Sequence, residues 1–501
     1  MEPFPPPLRV GIVVESLLAP AWVVRAVENV AASPHAVLSL VIRGAAAAAS
    51  VRRGVLASAY ARVDARRFRT KDDALDVRDL APLVAHVPVV GHGDPSIVGS
   101  DLDVVLAFGA ADDAKGRFGV WSIEMPDGLV EMAARRTHTV STLKRLDDGA
   151  ILGTARVATD MISLHRAMNR LRWKSAALPA RALHALRMGG GLAHDSPENE
   201  STPRARSTAG LLLSVAGHYA AQKVRDVAMN EQWLVAFRFR EPGEHPIAKL
   251  QAFHRIEPPK DRLWADPFVI QDGDRAWIFV EEMLFAEGRG VLAVIEARRD
   301  GTWSPPVRIL ERPYHLSYPC VFRWNGAFYM IPETGGSGTV QLFRATDFPY
   351  HWEQVSVLLR DLEAVDATPF EHDGRWWLYL TTASTPNVYD ELSLYTADTP
   401  LGPWTPHRLN PLLSDLTGGR CAGRPFLHDG AHLRAAQNGI PRYGHAMQLR
   451  QLLTLDDTTW QEQTLTPIPP TWAPHLAGTH TLNVDGEVVV VDGMRDRWRR
   501  G

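Results

Sequence analysis

The sequence predicts a multidomain chain: an N-terminal α/β domain on a parallel sheet, a helical linker, and an all-β C-terminal domain in the form of a five-bladed β-propeller. Three observations predict it. Continuous apolar runs alternate with helical patterns over the first 160 or so residues. Helical periodicity then fades, and aromatic strands take over from about residue 231. Within that second region a strand, a glycine turn and another strand recur every ~50 residues, the period of a propeller blade. The expected boundaries are 1–165, 166–230 and 231–501. A chain of 501 residues exceeds what one hydrophobic core supports, so division into domains is expected on length alone.

In the first region LRVGIVVES reads as a buried strand, followed by Pro20 and a helix through WVVRAVENVA. The strand AVLSLVIRG, a helix over 51–64, and the short strands VAHVPVV and LDVVLAFGA complete the pattern of a sheet covered on both faces. The stretch 194–208 is polar and rich in Pro and Ser, as a linker or exposed loop is. The helical segments within 165–225 serve either as a bridge between domains or as a homodimer surface.

In the second region the innermost strands begin at ADPFVI, YPCVFR, ATPFEH, AGRPFL and THTLNV, and each runs into a turn at Gly273, Gly326, Gly374, Gly430 or Gly486. Only two strands fit after residue 475, so the outer strands of the fifth blade must come from EQWLVAFRFR at 231–240. Such a closure pairs the two ends of the domain and removes the open sheet edges.

Composition narrows the function. Charged residues make up 22% and the formal net charge is −3, with no long basic run, so nucleic acid is not an expected partner. Two cysteines provide no disulfide framework, and the N-terminal apolar run is too short for a leader or a membrane span. The expectation is a cytoplasmic protein. No HExxH, paired-Cys or EF-hand spacing occurs, so neither a metal nor a cofactor is expected.

In a propeller the start of each inner strand and the end of the strand after it meet on one face of the ring. That rule brings Asp266 with Glu281 and Glu282, Tyr318 with Glu333, and Asp366 with Thr381 and Thr382 to one channel mouth, joined by Arg424, His480 and Asp492. Crowded carboxyl groups shift one another's pKa, and a general acid and a general base can be drawn from such a set. Asp266, Glu333 and Asp366 are the catalytic candidates. Trp264, Glu282, Tyr318, Arg424, Tyr443 and His480 are the substrate-binding ones, the aromatic rings for stacking on a sugar and Arg424 for a carboxylate or phosphate on it. The competing reading of Asp266 and Asp366 is local, a carboxylate capping its own turn.

LWADPFVI, HLSYPCVFRWNGAFYMIPET and AVDATPFEHDGRWWLYL together resemble the five-bladed propellers of glycoside hydrolase family 43. The resemblance is nearer still to the propeller of plant glucosamine inositolphosphorylceramide transferases, and it covers about 232–496. In the hydrolases a first-blade Asp is the general base, a third-blade Asp orients substrate and tunes pKa, and a fourth-blade Glu is the general acid. The resemblance implies these roles for Asp266 and Asp366. The acid's place reads Ala422-Gly423-Arg424, so either Glu333 or Glu282 supplies the acid or hydrolysis is lost. The first region, over about 8–165, resembles folate-dependent formyltransferases through LRVGIVV, LDVVLAFG, GVWSIEMPDG and TVSTLKRLDDGAILG. Asp147 fits that family's DxGxI segment. The segment that would carry its Asn and His reads VWSIEMP, leaving Glu124 as the one candidate base, so the resemblance implies a degenerate, scaffolding domain.

The expected function is a glycosidase acting on an anionic or modified sugar. The alternatives are a formyltransferase-like or glycosyl-transfer enzyme of glycoconjugate or natural-product biosynthesis, or a non-catalytic glycan-binding protein.

Overall fold

The computed structural model describes residues 6–44, 54–97, 99–111, 114–188, 208–385 and 388–499. The linker expected over 194–208 falls outside them apart from Thr208. The chain divides into two compact units, residues 1–223 and 224–501.

The first unit is a seven-stranded sheet. In spatial order its strands are Val89–Gly91, Ala36–Arg43, Leu8–Val14, Val104–Ala107, Val120–Glu124, His138–Arg145 and Ile151–Ala158. The first five are parallel, and the last two form an antiparallel hairpin on the edge. The sheet is therefore mixed rather than parallel throughout. The strand His138–Arg145 enters antiparallel to Val120–Glu124 after the short helix Leu129–Ala133, and the tight turn at Asp148–Gly149 then returns the chain as its hairpin partner. The helix Ala21–Ala31 follows Pro20 as expected and buries Val23, Val24, Val27 and Val30 against the sheet. The helix Val55–Arg67 occupies the second expected site.

Residues 166–230 do not form a separate region. The helix Leu164–Ser175, capped by the Ser163 hydroxyl accepting from the Arg166 N–H, packs on the edge hairpin and on the helix Ala21–Ala31. The helix Leu178–Arg187 packs on that same first helix, so both belong to the first unit. Their apolar faces carry Leu171, Leu178 and Leu183, which a free linker would leave in water. The division between the units falls within the helix Thr208–Ala228. No helix among the described residues is long and apolar enough to cross a membrane.

The second unit is a five-bladed propeller, five sheets each built on four antiparallel strands. Blade one is Arg262–Asp272, Arg275–Leu284, Gly290–Arg298 and Val307–Leu310; blade two runs from Ser317 to Arg360, blade three from Ala364 to Pro406, and blade four from Phe426 to Ile468. In blade five the inner strand Leu482–Asp485 and its neighbour Val488–Trp498 come from the end of the chain. The outer two, Met229–Phe239 and His254–Ile256, come from the start of the unit. Eleven residue pairs, Met229↔Trp498 through Phe239↔Val488, close the ring.

Three inner hairpins turn through consecutive left-handed residues: Asn325–Gly326, Asp373–Gly374 and Asp429–Gly430. Two positive φ values in succession match the twist of the flanking strands, which is why these dipeptides recur. Apolar layers between the blades make the core, including Phe268, Phe279, Phe343, Trp377 and Tyr379. Both cysteines are free and buried in or beside it.

Candidate functional site

The inner strands share a local irregularity that builds the site. Asp266, Tyr318 and Asp366 have φ of 51°, 46° and 55°, and Gly423 stands at 129° in the fourth blade. In blades one to three the register with the next strand breaks at this point, between Ala265 and Phe268, Ser317 and Cys320, and Val365 and Thr368. Left-handed backbone at a non-glycine residue costs on the order of 1–2 kcal/mol, least for Asp. Threefold repetition of that cost marks the bulge as the device that turns these side chains out of their sheets.

The turned side chains tie blade to blade. Asp266 Oδ2 accepts from the Tyr318 N–H at 3.2 Å, and its Oδ1 accepts from the Thr481 hydroxyl at 2.8 Å. The Tyr318 hydroxyl reaches Thr368 Oγ1 at 2.9 Å and accepts from the Gly423 N–H at 2.8 Å, spanning blades two, three and four. Leu482 N–H donates to Ala422 O, and the Asn483 amide donates to Pro267 O, completing the circuit.

Beside this circuit lies the charged cluster. His480 Nδ1 is 2.5 Å from Asp492 Oδ2, and His480 Nε2 is 3.5 Å from Asp266 Oδ1. Asp492 Oδ1 also accepts from the backbone N–H groups of His480 and Thr481. The His480 ring stacks on Trp233 at 4.0 Å between centroids and meets the edge of Tyr443 at 5.5 Å. Arg420 Nε donates to Asp366 Oδ2 at 2.7 Å, with its guanidinium 4.7 Å from the Tyr443 ring centre. Glu333 lies within electrostatic reach of Asp366, Arg420 and Asp266. Glu281 faces the same group and pairs with His315 at 3.2 Å. The interacting set is five carboxyl groups (Asp266, Glu281, Glu333, Asp366, Asp492) and three cationic side chains (His315, Arg420, His480).

Their titration follows from this arrangement. Burial pushes Asp266 up to about 7; the His480 charge opposes this, and Glu281, Asp366 and Asp492 add to it. Burial and the Asp366 charge push Glu333 up to about 8 against the pull of Arg420. Burial acts to lower His480, but Asp492 and Asp266 outweigh it and raise the imidazole to about 9. At neutral pH the cluster therefore holds a protonated Glu333 beside Asp366 and an imidazolium between two carboxyl groups. Asp266, His480 and Asp492 also place their ligand atoms within 4.8 Å of one another, a spacing open to a metal ion. The carboxylate oxygens of Asp266 and Asp492 accept from backbone N–H groups and from the Thr481 hydroxyl, and the His480 ring stands between them as an ion-pair partner.

Of the residues expected from sequence, Asp266, Glu333, Asp366, His480 and Tyr443 come together here. Tyr443 is 55% exposed as a residue, but Arg420 lies over one face of its ring, and burial, opposed by Arg420 and aided by Asp266, Asp366 and Glu333, drives its hydroxyl well above the ordinary tyrosine value. Four others are placed elsewhere or otherwise engaged. Glu282 points the opposite way from Glu281, as neighbours on a strand must, and both its oxygens are held, by Arg262 and the Trp264 indole and by Arg308. Trp264 is buried against Trp303 and the core between blades, with no face free for a sugar. Tyr318 is fully buried as a strut of the ring. Arg424 lies along the second blade's inner strand, donating to Val321 O and resting over Phe322. Trp233 and Thr481 were not among the sequence candidates, and Arg420 counted there only as a basic neighbour of Arg424. Trp233 and Thr481 come from the closing blade, and Arg420 sits in the segment leading to the fourth inner strand.

Residues 245–468 match the family model described as the N-terminal part of glucosamine inositolphosphorylceramide transferase 1. Glucosamine inositolphosphorylceramide transferase 1 of Arabidopsis thaliana is 31% identical over 226 residues, covering 44% of this chain and 29% of the plant protein. The enzyme of the same name from Oryza sativa subsp. japonica is 32% identical over 203 residues, 40% of this chain and 27% of its own. The chain thus spans less than a third of these relatives' lengths. Among solved structures, a family 117 glycoside hydrolase from Zobellia galactanivorans aligns at 14% identity and a TM-score of 0.35, over 53% of this chain and 90% of its own. An exo-1,5-alpha-L-arabinanase from a bovine ruminal metagenomic library aligns at 12% and 0.34, over 48% and 94%.

Proposed function

We propose that the propeller is a carbohydrate-handling unit of glycoconjugate biosynthesis, which receives a sugar at the mouth where Asp266, Glu333 and Asp366 meet. The observation that carries this reading is the exposed Tyr443 ring standing over Arg420 and against His480, directly beside the carboxyl cluster. A half-exposed aromatic residue next to fixed hydrogen-bonding groups suits the apolar face and hydroxyl rim of a pyranose. The matched transferase family supports placing the unit in glycosyl transfer rather than in glycan breakdown.

A second reading is acid–base chemistry on a glycosidic bond. It is favoured by one observation, that Glu333 holds its proton near neutrality next to Asp366. In that reading Glu333 protonates the leaving oxygen and Asp266 acts as base. Formyl transfer is not proposed for the first unit. Glu124 ends its strand in an ion pair with Lys144, while Asp147 lies against Gly119 before the strand begins, so the two cannot share one substrate atom.

Calorimetric titration of the full chain with monosaccharides tests the first reading: binding is expected, with Tyr443→Ala weakening it about tenfold. A panel of chromogenic glycosides tests the second, in which Asp266→Asn abolishes turnover. Sugar binding without turnover leaves a binding unit.

A further inference from the structure

Away from the propeller, the first unit gathers basic side chains with no acid to match them. His35 follows the helix Ala21–Ala31 and directly precedes the strand Ala36–Arg43, and its carbonyl accepts from the Leu8 N–H. His184 and Arg187 lie in the last turn of the helix Leu178–Arg187, which packs on that first helix and on the edge strand Ile151–Ala158. The His35 and His184 rings meet edge to face, 4.5 Å between centroids. His184 Nε2 and Arg187 Nη2 are shut off from solvent, and neither has a hydrogen-bond partner. Every electrostatic influence on the two imidazoles is cationic: burial and Arg187 lower His35, and burial and His35 lower His184. Among the charged groups of the neighbouring elements, Glu28 pairs with Arg25 on its own helix and Arg9 pairs with Asp101, while the edge strand brings a further cation, Arg156. The helix dipole favours basic residues in a last turn, but it gives these two buried donors no acceptor. Such donors mark a place for an ion or a water that the chain itself does not supply.

We propose that His35, His184 and Arg187 form a binding site for a phosphate group, free or esterified, with Arg187 Nη2 and His184 Nε2 as donors and His35 adding its charge beside them. A guanidinium matches a tetrahedral oxyanion in both geometry and charge, and no carboxylate among the described residues pairs with this one. The site lies at the amino ends of the strands Leu8–Val14 and Ala36–Arg43, where the Leu8 N–H meets His35. Open parallel sheets take their larger ligands at the opposite, carboxyl ends. The inference is independent of the sugar-binding reading of the propeller. Binding carries a proton signature. A bound anion reverses the field at the two imidazoles, which then take up protons, so affinity rises as the pH falls.

The experiment is calorimetric titration of the full chain with sodium phosphate, glycerol 1-phosphate, sodium sulfate and sodium acetate at constant ionic strength. At pH 7 phosphate is expected to bind about tenfold more tightly than acetate, since a second charge and a third oxygen meet the same donors. Sulfate keeps its charge throughout, so the pH dependence of its binding belongs to the protein. Its affinity should rise about tenfold from pH 8 to pH 5.5 with net proton uptake, the effect of roughly one pKa unit of coupling. Arg187→Gln should weaken phosphate about tenfold or more at every pH, and the pair His35→Gln with His184→Gln should flatten the sulfate profile. Should Arg187→Gln fail to fold, Arg187→Lys, which keeps the charge and loses the forked donor, should still weaken phosphate measurably. Glycerol 1-phosphate binding as tightly as phosphate assigns the site to a phosphoryl group on a larger molecule, and phosphate binding alone assigns it to the free ion; both support the inference. Phosphate that gives neither heat nor a rise in unfolding temperature at millimolar concentration overturns it. So does acetate binding as tightly as phosphate, or phosphate binding that the folded Arg187 variant leaves unchanged.

Discussion

His480 Nδ1 stands 2.5 Å from Asp492 Oδ2, while its Nε2 faces Asp266 in a different blade. One imidazole thus carries charge between the blade that opens the ring and the blade that closes it. The stability of the propeller should follow its proton. His480 is raised from 6.5 to about 9, so its contribution is whole below pH 6.5 and is lost as pH climbs through 9. Asp266 and Glu333, raised from 3.8 to about 7 and from 4.5 to about 8, act in the same direction, because the folded state holds protons that the unfolded state releases. The unfolding temperature should fall steadily between pH 5 and 9, and the pair Asp266→Asn with Glu333→Gln should flatten that slope. A rising or level curve for the wild type would contradict these assignments.

Asp266→Asn and Asp266→Ala separate backbone from charge. Asn tolerates the left-handed backbone at φ 51° and keeps an acceptor for Thr481 but loses the one for the Tyr318 N–H, so it should cost about 1 kcal/mol. Ala loses both and should cost about 2 kcal/mol or more. Urea unfolding of the two variants checks the difference.

Tyr318→Phe removes one oxygen from a buried ring of contacts. The Gly423 N–H loses its acceptor and Thr368 its partner, and an orphaned buried donor costs about 1–3 kcal/mol. The half-exposed Tyr350 is the control, and its Phe variant should unfold at the wild-type urea midpoint.

Ala422→Glu places a carboxyl where the sequence resemblance expects the hydrolase acid. Ala422 is fully buried in an apolar cluster with Phe426, Leu433, Met447 and Leu482. The introduced carboxyl would enter that cluster, so the variant should lose about 3 kcal/mol or more and gain no glycosidase activity. Activity appearing on chromogenic glycosides would show that residue 422 can reach the mouth.

The propeller was legible because its signals are local. A glycine turn and alternating aromatic residues declare a hairpin wherever they occur, and their spacing declares the blade. The first unit's edge hairpin was less so, since HTVSTLKR carries too few apolar residues to announce a strand. At the site, Asp266, Glu333 and Asp366 were found by the repeat, whereas Glu281 and Glu282 are told apart only by strand parity, which the bulge after Ala265 obscures. Trp264 and Tyr318 look like sugar platforms in the sequence because exposure is not written there. Trp233 was hidden by distance along the chain; it meets His480 only because the ring closes.

That closure sets an order of events during synthesis. Trp233 is made before the first blade, whereas His480 and Asp492 arrive with the final strands. A nascent chain can stack four blades and still lack the imidazole, its carboxylate partner and the seal along Met229–Phe239. The carboxyl cluster is therefore incomplete until the strand Val488–Trp498 has been made, and a chain halted before it would display an unsatisfied edge along Met229–Phe239 instead of a closed ring.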